Sequence, residues 1–460
     1  MKLKINYKSK LILGLFLLTV FSQAFAFAAG SATGGAGLQE ISDQGMTLNL
    51  SLQQAVDDAK NNNVMLKIAQ EKIDEAKARR WQNDSDLLPH ISFGASQGRV
   101  FWENFAGQGI PEFGVIGPFN SFDARFQVTQ RIFDLSAISK FQAANEDVAI
   151  SKLEEKLSQQ QVITAAVIGY LDVLQAQEQL QAVRDDLSLA QQLTSLAQHQ
   201  LQAGIVTNLD VVRAQTRLAQ HQAKEQEAIQ KLNTSLLNLK RVTGLPLDTE
   251  LHLTDSLEYF DERSLAVPDA INAALKDRFE VTIADSKVKY AQYQLSQANR
   301  ERLPKAYVYG DWGQSAVEPN KFAHNAAQIS VNMSMPIFEG GQIEGEIRQQ
   351  ESQKIQAKTL YNDMQTQVEE DVRLALQTLS TVTEEVKASD DALKLAVQEL
   401  SLAKDQYTNG VGNNIAVVDA QTTLEDSRQS YVTALAQYHM ARVNYYSALG
   451  RTESFHLSTI

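Results

Sequence analysis

Few residues in this chain have types and spacing suited to chemistry, and none of them sits in a context that would use it. Gly94-Ala95-Ser96-Gln97-Gly98 satisfies the G-x-S-x-G pattern of serine hydrolases, which needs a sharp strand-to-helix turn and partner Asp and His residues. Here the motif lies inside a strand-like run that continues as Arg99-Val100-Phe101-Trp102, so small residues in a sheet wall explain it better. The seven histidines are scattered, and His199 and His221 are too far apart in sequence to form a local metal pair. The chain has no cysteine and no phosphate-binding loop. Gly341-Gln342-Ile343-Glu344-Gly345 has the spacing of a membrane helix-dimer motif but is polar, and reads as the start of a long helix. The expectation is a protein that is not an enzyme and uses no metal or cofactor.

Charge and targeting narrow the setting. Lys2, Lys4, Lys8 and Lys10 precede an apolar run from Leu11 to Phe21 and the small-residue stretch Ala24-Phe25-Ala26-Phe27-Ala28, the layout of a secretory signal peptide over residues 1–28. The net charge of −13 becomes more negative once those four lysines are removed, which argues against nucleic acid and against a basic membrane-surface binder. Without cysteine, an exported protein must be stabilised by packing or assembly, and it lacks the residue that would carry a lipoprotein anchor. No later run approaches the roughly 20 apolar residues of a membrane helix. That excludes a helical inner-membrane protein but leaves a transmembrane barrel open.

The elements that position everything else come in two copies. Leu196–Leu218 reads LAQHQLQAGIVTNLDVVRAQTRL, and Leu402–Leu424, 206 positions later, reads LAKDQYTNGVGNNIAVVDAQTTL, with 11 of 23 positions identical. Each copy breaks a helical pattern at a glycine, Gly204 or Gly410, and resumes it near Asn208 or Asn414. That pattern predicts a helix closed by a left-handed glycine and a second helix folding back. A second set of matches lies 215 apart: Ala55/Ala270, Ala59/Ala274, Ala69/Ala284, Lys72/Lys287, Ala76/Ala291, Leu88/Leu303 and Pro89/Pro304. Fixed offsets over such lengths indicate duplication. The domains read as a signal peptide (1–28), a leader (29–50), a first repeat (51–245), an acidic linker (246–265), a second repeat (266–451) and a tail (452–460).

Within each repeat a helical pattern, continuous from about Ser51 to Leu87 in the first copy, is closed by a proline, and the period then changes to two. Phe122, Ala124, Phe126 and Val128 alternate with Asp123, Arg125, Gln127 and Thr129, and Ala327, Ile329, Val331, Met333 and Met335 alternate with Gln328, Ser330, Asn332 and Ser334. Strands are expected at about 90–102, 121–132, 305–313 and 327–337. One apolar and one polar face, with aromatic residues in the loops, fits barrel strands in a membrane or a soluble sheet lying on a core. Stretches of about 70 residues follow each hairpin, Leu135 to Ala203 and Gly341 to Asn409. Tyr170, Val173, Leu180 and Leu187 match Leu376, Leu379, Val386 and Leu393 in register, so each is a coiled-coil helix about 100 Å long.

Four strands cannot close a barrel, and an open sheet in lipid leaves backbone groups unpaired at several kcal/mol each. Transmembrane strands would therefore need other copies of the chain, with the helices projecting as a tube. The duplicated order helix, hairpin, long helix, turn, helix resembles the TolC-like outer membrane efflux proteins over nearly the whole mature chain. The paired turns (Gly204…Asp210-Val211 and Gly410…Val417-Val418-Asp419-Ala420) and the Leu-Pro before a strand (Leu88-Pro89, Leu303-Pro304) carry that resemblance. It implies a homotrimer with a 12-stranded β-barrel in the outer membrane lipid and an α-helical periplasmic tunnel. It also implies export of small molecules or proteins, with a periplasmic adaptor protein and an inner-membrane transporter as partners.

The same resemblance assigns the turns to the closed end of the tunnel. Tyr407 matches an aromatic residue that links the inner helix pair to an aspartate of the outer pair, here Asp210, and Asp419 matches a residue of a constricting acidic ring. Gly204, Asn208, Gly410 and Asn414 would form the hairpin turns and adaptor contacts. Two departures, Gly412 where the family can place a bracing arginine and Ala416 where it can place a second acid, imply a looser lock and a single ring. The rival reading is a coiled-coil structural or adhesive protein of the periplasm or cell surface. Duplication and alternating hairpins favour the duct, because a purely structural coil needs neither.

Overall fold

The computed structural model describes residues 47–102, 116–262, 264–319, 323–409, 411 and 414–457. The signal segment, most of the leader, Gly410 and Gly412 lie outside these residues. The first half runs β1 (Thr47–Leu50), α1 (Leu52–Asn62), α2 (Val64–Asp84), β2 (His90–Trp102), β3 (Ile116–Phe133), α3 (Leu135–Gln202) and α4 (Asn208–Thr243). The second runs β4 (Glu250–Leu253), α5 (Val267–Asp277), α6 (Phe279–Arg300), β5 (Lys305–Ala316), β6 (His324–Ser334), α7 (Gln342–Thr408) and α8 (Asn414–Ala448). Each half folds its long helix back on a shorter one, α3 on α4 and α7 on α8. At 68 and 67 residues, α3 and α7 each extend about 100 Å. The heptad positions Tyr170, Val173, Leu180, Leu379 and Val386 are buried.

The helix expected from Ser51 to Leu87 is divided. Asn63 leaves the helical region at φ −63 and ψ 132, ends α1, and caps α2 through Oδ1, which accepts from Met65 N at 2.8 Å. Its Nδ2 donates to Val242 O at 2.8 Å. Gly244, at φ +72, sits so close that a Cβ there would stand 2.7 Å from Asn62 Cβ. The second copy repeats the device: Arg278 separates α5 from α6 at φ −73 and ψ 127, and Gly450, at φ +74, abuts Asp277 and Arg278. Each break therefore accommodates the end of a return helix from far along the chain, and a left-handed glycine is the residue that fits there.

The middle of the molecule is tied by segments that look like connectors. Thr47–Leu50, read from sequence as leader, forms β1 and pairs in parallel with β4. The Tyr170 hydroxyl lies 2.6 Å from Asp255 Oδ2 and 2.9 Å from Leu50 O, and the same Oδ2 accepts from Leu52 N at 2.9 Å. Arg442 is buried with its guanidinium 4.0 Å from the Phe260 ring centroid and 5.0 Å from that of Phe455, and it donates to Glu262 and to His456 O. The linker and the tail are thus clamped onto α8 by one cation between two rings. Burial, with Arg442 adding to it, pushes the neighbouring His439 down to about 4.

The other strands form one antiparallel sheet in the order β2-β3-β5-β6. Register puts Ile91 opposite Val128, Phe93 opposite Phe126, Phe126 opposite Trp312 and Gly310 opposite Ile329, so a single apolar face runs across all four strands. The other face carries Ser92, Ser96, Asp123, Gln127, Asp311 and Ser330. The apolar face is open: Ile329 and Met333 are 82% and 75% exposed. Among the described residues, strands β2 and β6 are each paired on one side only. Among the described residues no helix is long and apolar enough to cross a membrane.

Candidate functional site

The two helix turns share one closing hydrogen bond. Gly204 ends α3 at φ +71, and Ile205 N donates to Gln200 O at 2.9 Å. In the second copy Val411 N donates to Gln406 O at 3.0 Å. These equivalent bonds reach back over the last helical turn and satisfy its carbonyls. Thr207, rather than Asn208, caps α4: Asp210 Oδ2 accepts from Thr207 N at 3.1 Å and from Thr207 Oγ1 at 2.8 Å, a capping box. Asn208 opens α4 with an exposed side chain, and Asn414 is the first residue of α8.

The three residues assigned to a gate stand in different surroundings. Tyr407 is buried in an apolar cluster with Leu400, Val417, Ala420 and Leu424, flanked by Leu189 and Leu196 of α3. Its hydroxyl has no protein partner among the described residues. Burial, and then the charge of Asp210, push that hydroxyl above its ordinary value. The Asp210 carboxylate itself is engaged by Thr207 and lies 3.8 Å from Arg213 Nη1. Asp419 is exposed on the second turn of α8, where its carbonyl accepts from Thr423 Oγ1. Between α4 and α8 a groove of about 620 Å³ is lined by Val212, Arg213, Thr216, Arg217, Ile415 and Val418.

Other polar side chains converge at places the sequence reading did not single out. On the polar face of the sheet, Arg125 donates to Asp311 Oδ1 and to Asp123 Oδ2, each at 2.9 Å. Higher on the helices, Asp186, His221, Glu425 and Arg428 meet where α8 crosses α3 and α4. One sequence signal points to this group: at the 206-residue offset their twins are Ala392, Ser427, Ala219 and Gln222, so the charges belong to one seam only. The Gly94–Gly98 motif lies within β2, paired to Ser121–Arg125, in strand geometry without the nucleophile turn. The arrangement can line a passage and hold helices together.

Comparison with known proteins fits these features to a family. The sequence model of the family described as Outer membrane efflux protein matches residues 55–245 and 270–451. Outer membrane protein TolC of Salmonella enteritidis is 24% identical over 394 residues, covering 83% of this chain and 76% of that one. Alkaline protease secretion protein AprF of Pseudomonas aeruginosa is 22% identical over 372 residues, covering 79% and 76%. The fold is that of the Campylobacter jejuni CmeC outer membrane channel, with a TM-score of 0.76 at 19% identity over 88% of this chain and 87% of that one.

Proposed function

The chain belongs to the outer membrane efflux protein family, and from that premise we propose how a single chain becomes a duct. It is an outer membrane efflux channel, which sets aside the coiled-coil structural alternative. Three copies close the barrel: the free edge of β6 pairs with β2 of the next copy, giving 12 strands with the apolar face in lipid and the Asp123–Arg125–Asp311 face inward. The observation that carries this reading is the two-faced sheet with both edge strands open. Such a sheet is untenable in lipid until its backbone groups are paired. The helices then form a tunnel on the periplasmic side, whose turns meet an adaptor protein that joins the duct to an inner-membrane transporter. Cargo is a small molecule or a protein; AprF is named for secretion of an alkaline protease. The duct itself performs no chemistry.

The gate is proposed at the turns. Tyr407 and Asp210 link the inner hairpin (α7–α8) to the outer one (α3–α4), and three copies of Asp419 form a single acidic ring that attracts and retains cations. Support comes from the buried Tyr407 hydroxyl, which lacks a protein partner among the described residues and is pushed above its ordinary value by burial and then by the charge of Asp210. The assembly is tested by extraction and mass measurement. Protein taken from membranes in detergent should behave as a trimer and form pores in planar bilayers. Protein that leaves cells in plain buffer as a monodisperse species would overturn the channel reading.

A further inference from the structure

Beyond the turns, the seam between the two hairpins of one chain gathers ionisable groups that a coiled coil does not need. Asp186 of α3, His221 of α4 and Glu425 of α8 are all buried. Arg428 donates to Asp186 Oδ1. His221 Nε2 lies 3.0 Å from Glu425 Oε1, and Lys224 Nζ lies 3.4 Å from Glu425 Oε2. One turn closer to the tip, Arg217 Nη2 donates to Thr422 Oγ1 at 2.6 Å. Thr422, Glu425 and Arg428 share one face of α8, and Arg217, His221 and Lys224 share one face of α4. The contacts therefore form a ladder running along the helices.

The ladder is imperfectly satisfied. The His221–Glu425 contact lies off the hydrogen-bonding axis, so Nε2 and Oε1 have no aligned partner, and neither does His221 Nδ1. Gln200, Tyr407 and Gln421, toward the same end of the helices, also each bury a polar atom without a protein partner among the described residues. A ladder of partly satisfied, ionisable groups is a contact whose strength depends on which of its members carry charge. The duplication supplies an internal control. The corresponding positions of the other hairpin pairing hold Ala392, Ser427, Ala219 and Gln222, so the same register is compatible with a neutral seam.

We infer that the Asp186–Arg428 and His221–Glu425 ladder is a lock that fixes α8 to α3 and α4 of its own chain and sets how far from the turns the inner hairpin can part from the outer. The inference rests on the channel reading. Glu425 lies eleven residues beyond the start of α8, about 16 Å from it. Toward the turns the seam holds the Arg217–Thr422 contact, Tyr407 and the apolar side chains Leu400, Val417, Ala420 and Leu424, and it is this stretch that parts; from Glu425 upward the helices stay joined. Asp186 and Glu425 are positioning residues and touch no cargo.

The lock responds to protons in a stated direction. Burial pushes the Asp186 carboxyl up to about 6, with Arg428 opposing and Glu425 adding to the rise, and with His221 and Lys224 of α4 also facing it. In a parted, wet seam this carboxyl would titrate near its ordinary lower value. Proton uptake therefore favours the closed seam as the pH falls through about 6, and this preference is lost as the pH rises. Glu425 behaves oppositely: burial works against its charge, but His221 and Lys224 together hold it below its ordinary value. Its ionised form thus favours the closed seam.

Single-channel recording of the full-length protein in planar bilayers, at about pH 5 and about pH 8 on either side of that value, tests the lock. Wild-type conductance should be lower at the acid pH. E425Q should raise conductance several-fold at both, and D186N should hold the acid wild-type level at both. Should E425Q fail to assemble, H221Q removes the same contact and carries the same expectation. Pores in which E425Q matches wild type, or in which D186N keeps the wild-type pH response, overturn the lock alone. Wild-type protein that forms no pores overturns the channel reading and the lock with it.

Discussion

The long helices α3 and α7 share a register and almost a length, yet α3 buries 24 residues and α7 nine. Matched positions make the contrast direct. Ile168, Leu189 and Leu196 of α3 rest on the apolar clusters of the chain, whereas their twins Leu374, Leu395 and Leu402 are 62%, 65% and 63% exposed. The sequence repeats; the neighbours do not. Helix α3 lies against α8 of the other half, and the equivalent neighbour of α7 is α4, which within one chain is already used on its other side. In the proposed trimer such a unit is completed as a ring, in which α7 of each copy meets α4 of the next. On that proposal the difference in burial measures the interface one chain leaves unfilled.

This comparison can be broken most severely at α7. Replacing Leu395 and Leu402 together with Asp should abolish the trimer in detergent by light scattering while helical circular dichroism survives; loss of the helical signal would mean that α7 packs within its own chain. A gentler pair of changes sharpens it. Leu189→Ala should cost about 2 kcal/mol in urea unfolding at every protein concentration, whereas Leu395→Ala should lower the midpoint chiefly at low concentration, where assembly limits. Identical concentration dependence for the two would erase the distinction between the helices.

The glycines separate middle from tip by a smaller margin. Gly244→Ala must accept both a left-handed backbone and the contact with Asn62, an expected loss of about 2 kcal/mol by thermal melting. Gly204 has open space around it, so Gly204→Ala should cost about 1 kcal/mol, the backbone strain alone. Equal losses would mean that Gly244 is not wedged. Smallest in stability is the effect of Tyr407→Phe, which removes a hydroxyl without a protein partner and should leave the melting temperature in place. Conductance should rise with this change and rise further with Asp210→Ala; no rise would remove the proposed link. Asp419→Ala should reduce cation selectivity and weaken block by multivalent cations, and unaltered selectivity would place the ring elsewhere.

Much of the architecture was legible because it is periodic. The heptads, the strand alternation and the turn at Gly204 all express local rules, and the structure follows them to within a few residues: β6 spans His324–Ser334 where 327–337 was expected. What escaped notice is set by distant parts of the chain. The break at Asn63 is imposed by Val242 and Gly244, nearly 180 residues on, although an Asn at that point is itself a cap signal. Thr47–Leu50 is too short to announce a strand until Glu250–Leu253 lies beside it. Asp186, His221, Glu425 and Arg428 read as ordinary polar positions of long helices, since nothing local says that they face one another. Asp210 is legible as a charge near a turn, whereas its bonds to Thr207 depend on where α4 begins.

The two offsets, 215 before the hairpins and 206 after them, carry an evolutionary consequence. The copies differ by nine residues, and the whole difference falls between Pro89 and α3 in the first copy, within the hairpin. Since the duplication, insertion and deletion have been filtered out wherever helix faces helix, because one added residue would rotate every later contact by about 100°. Loops at the far end of the strands escape that filter. Novelty in such a lineage accumulates on the side that meets the outside world, while the shaft beneath keeps its count.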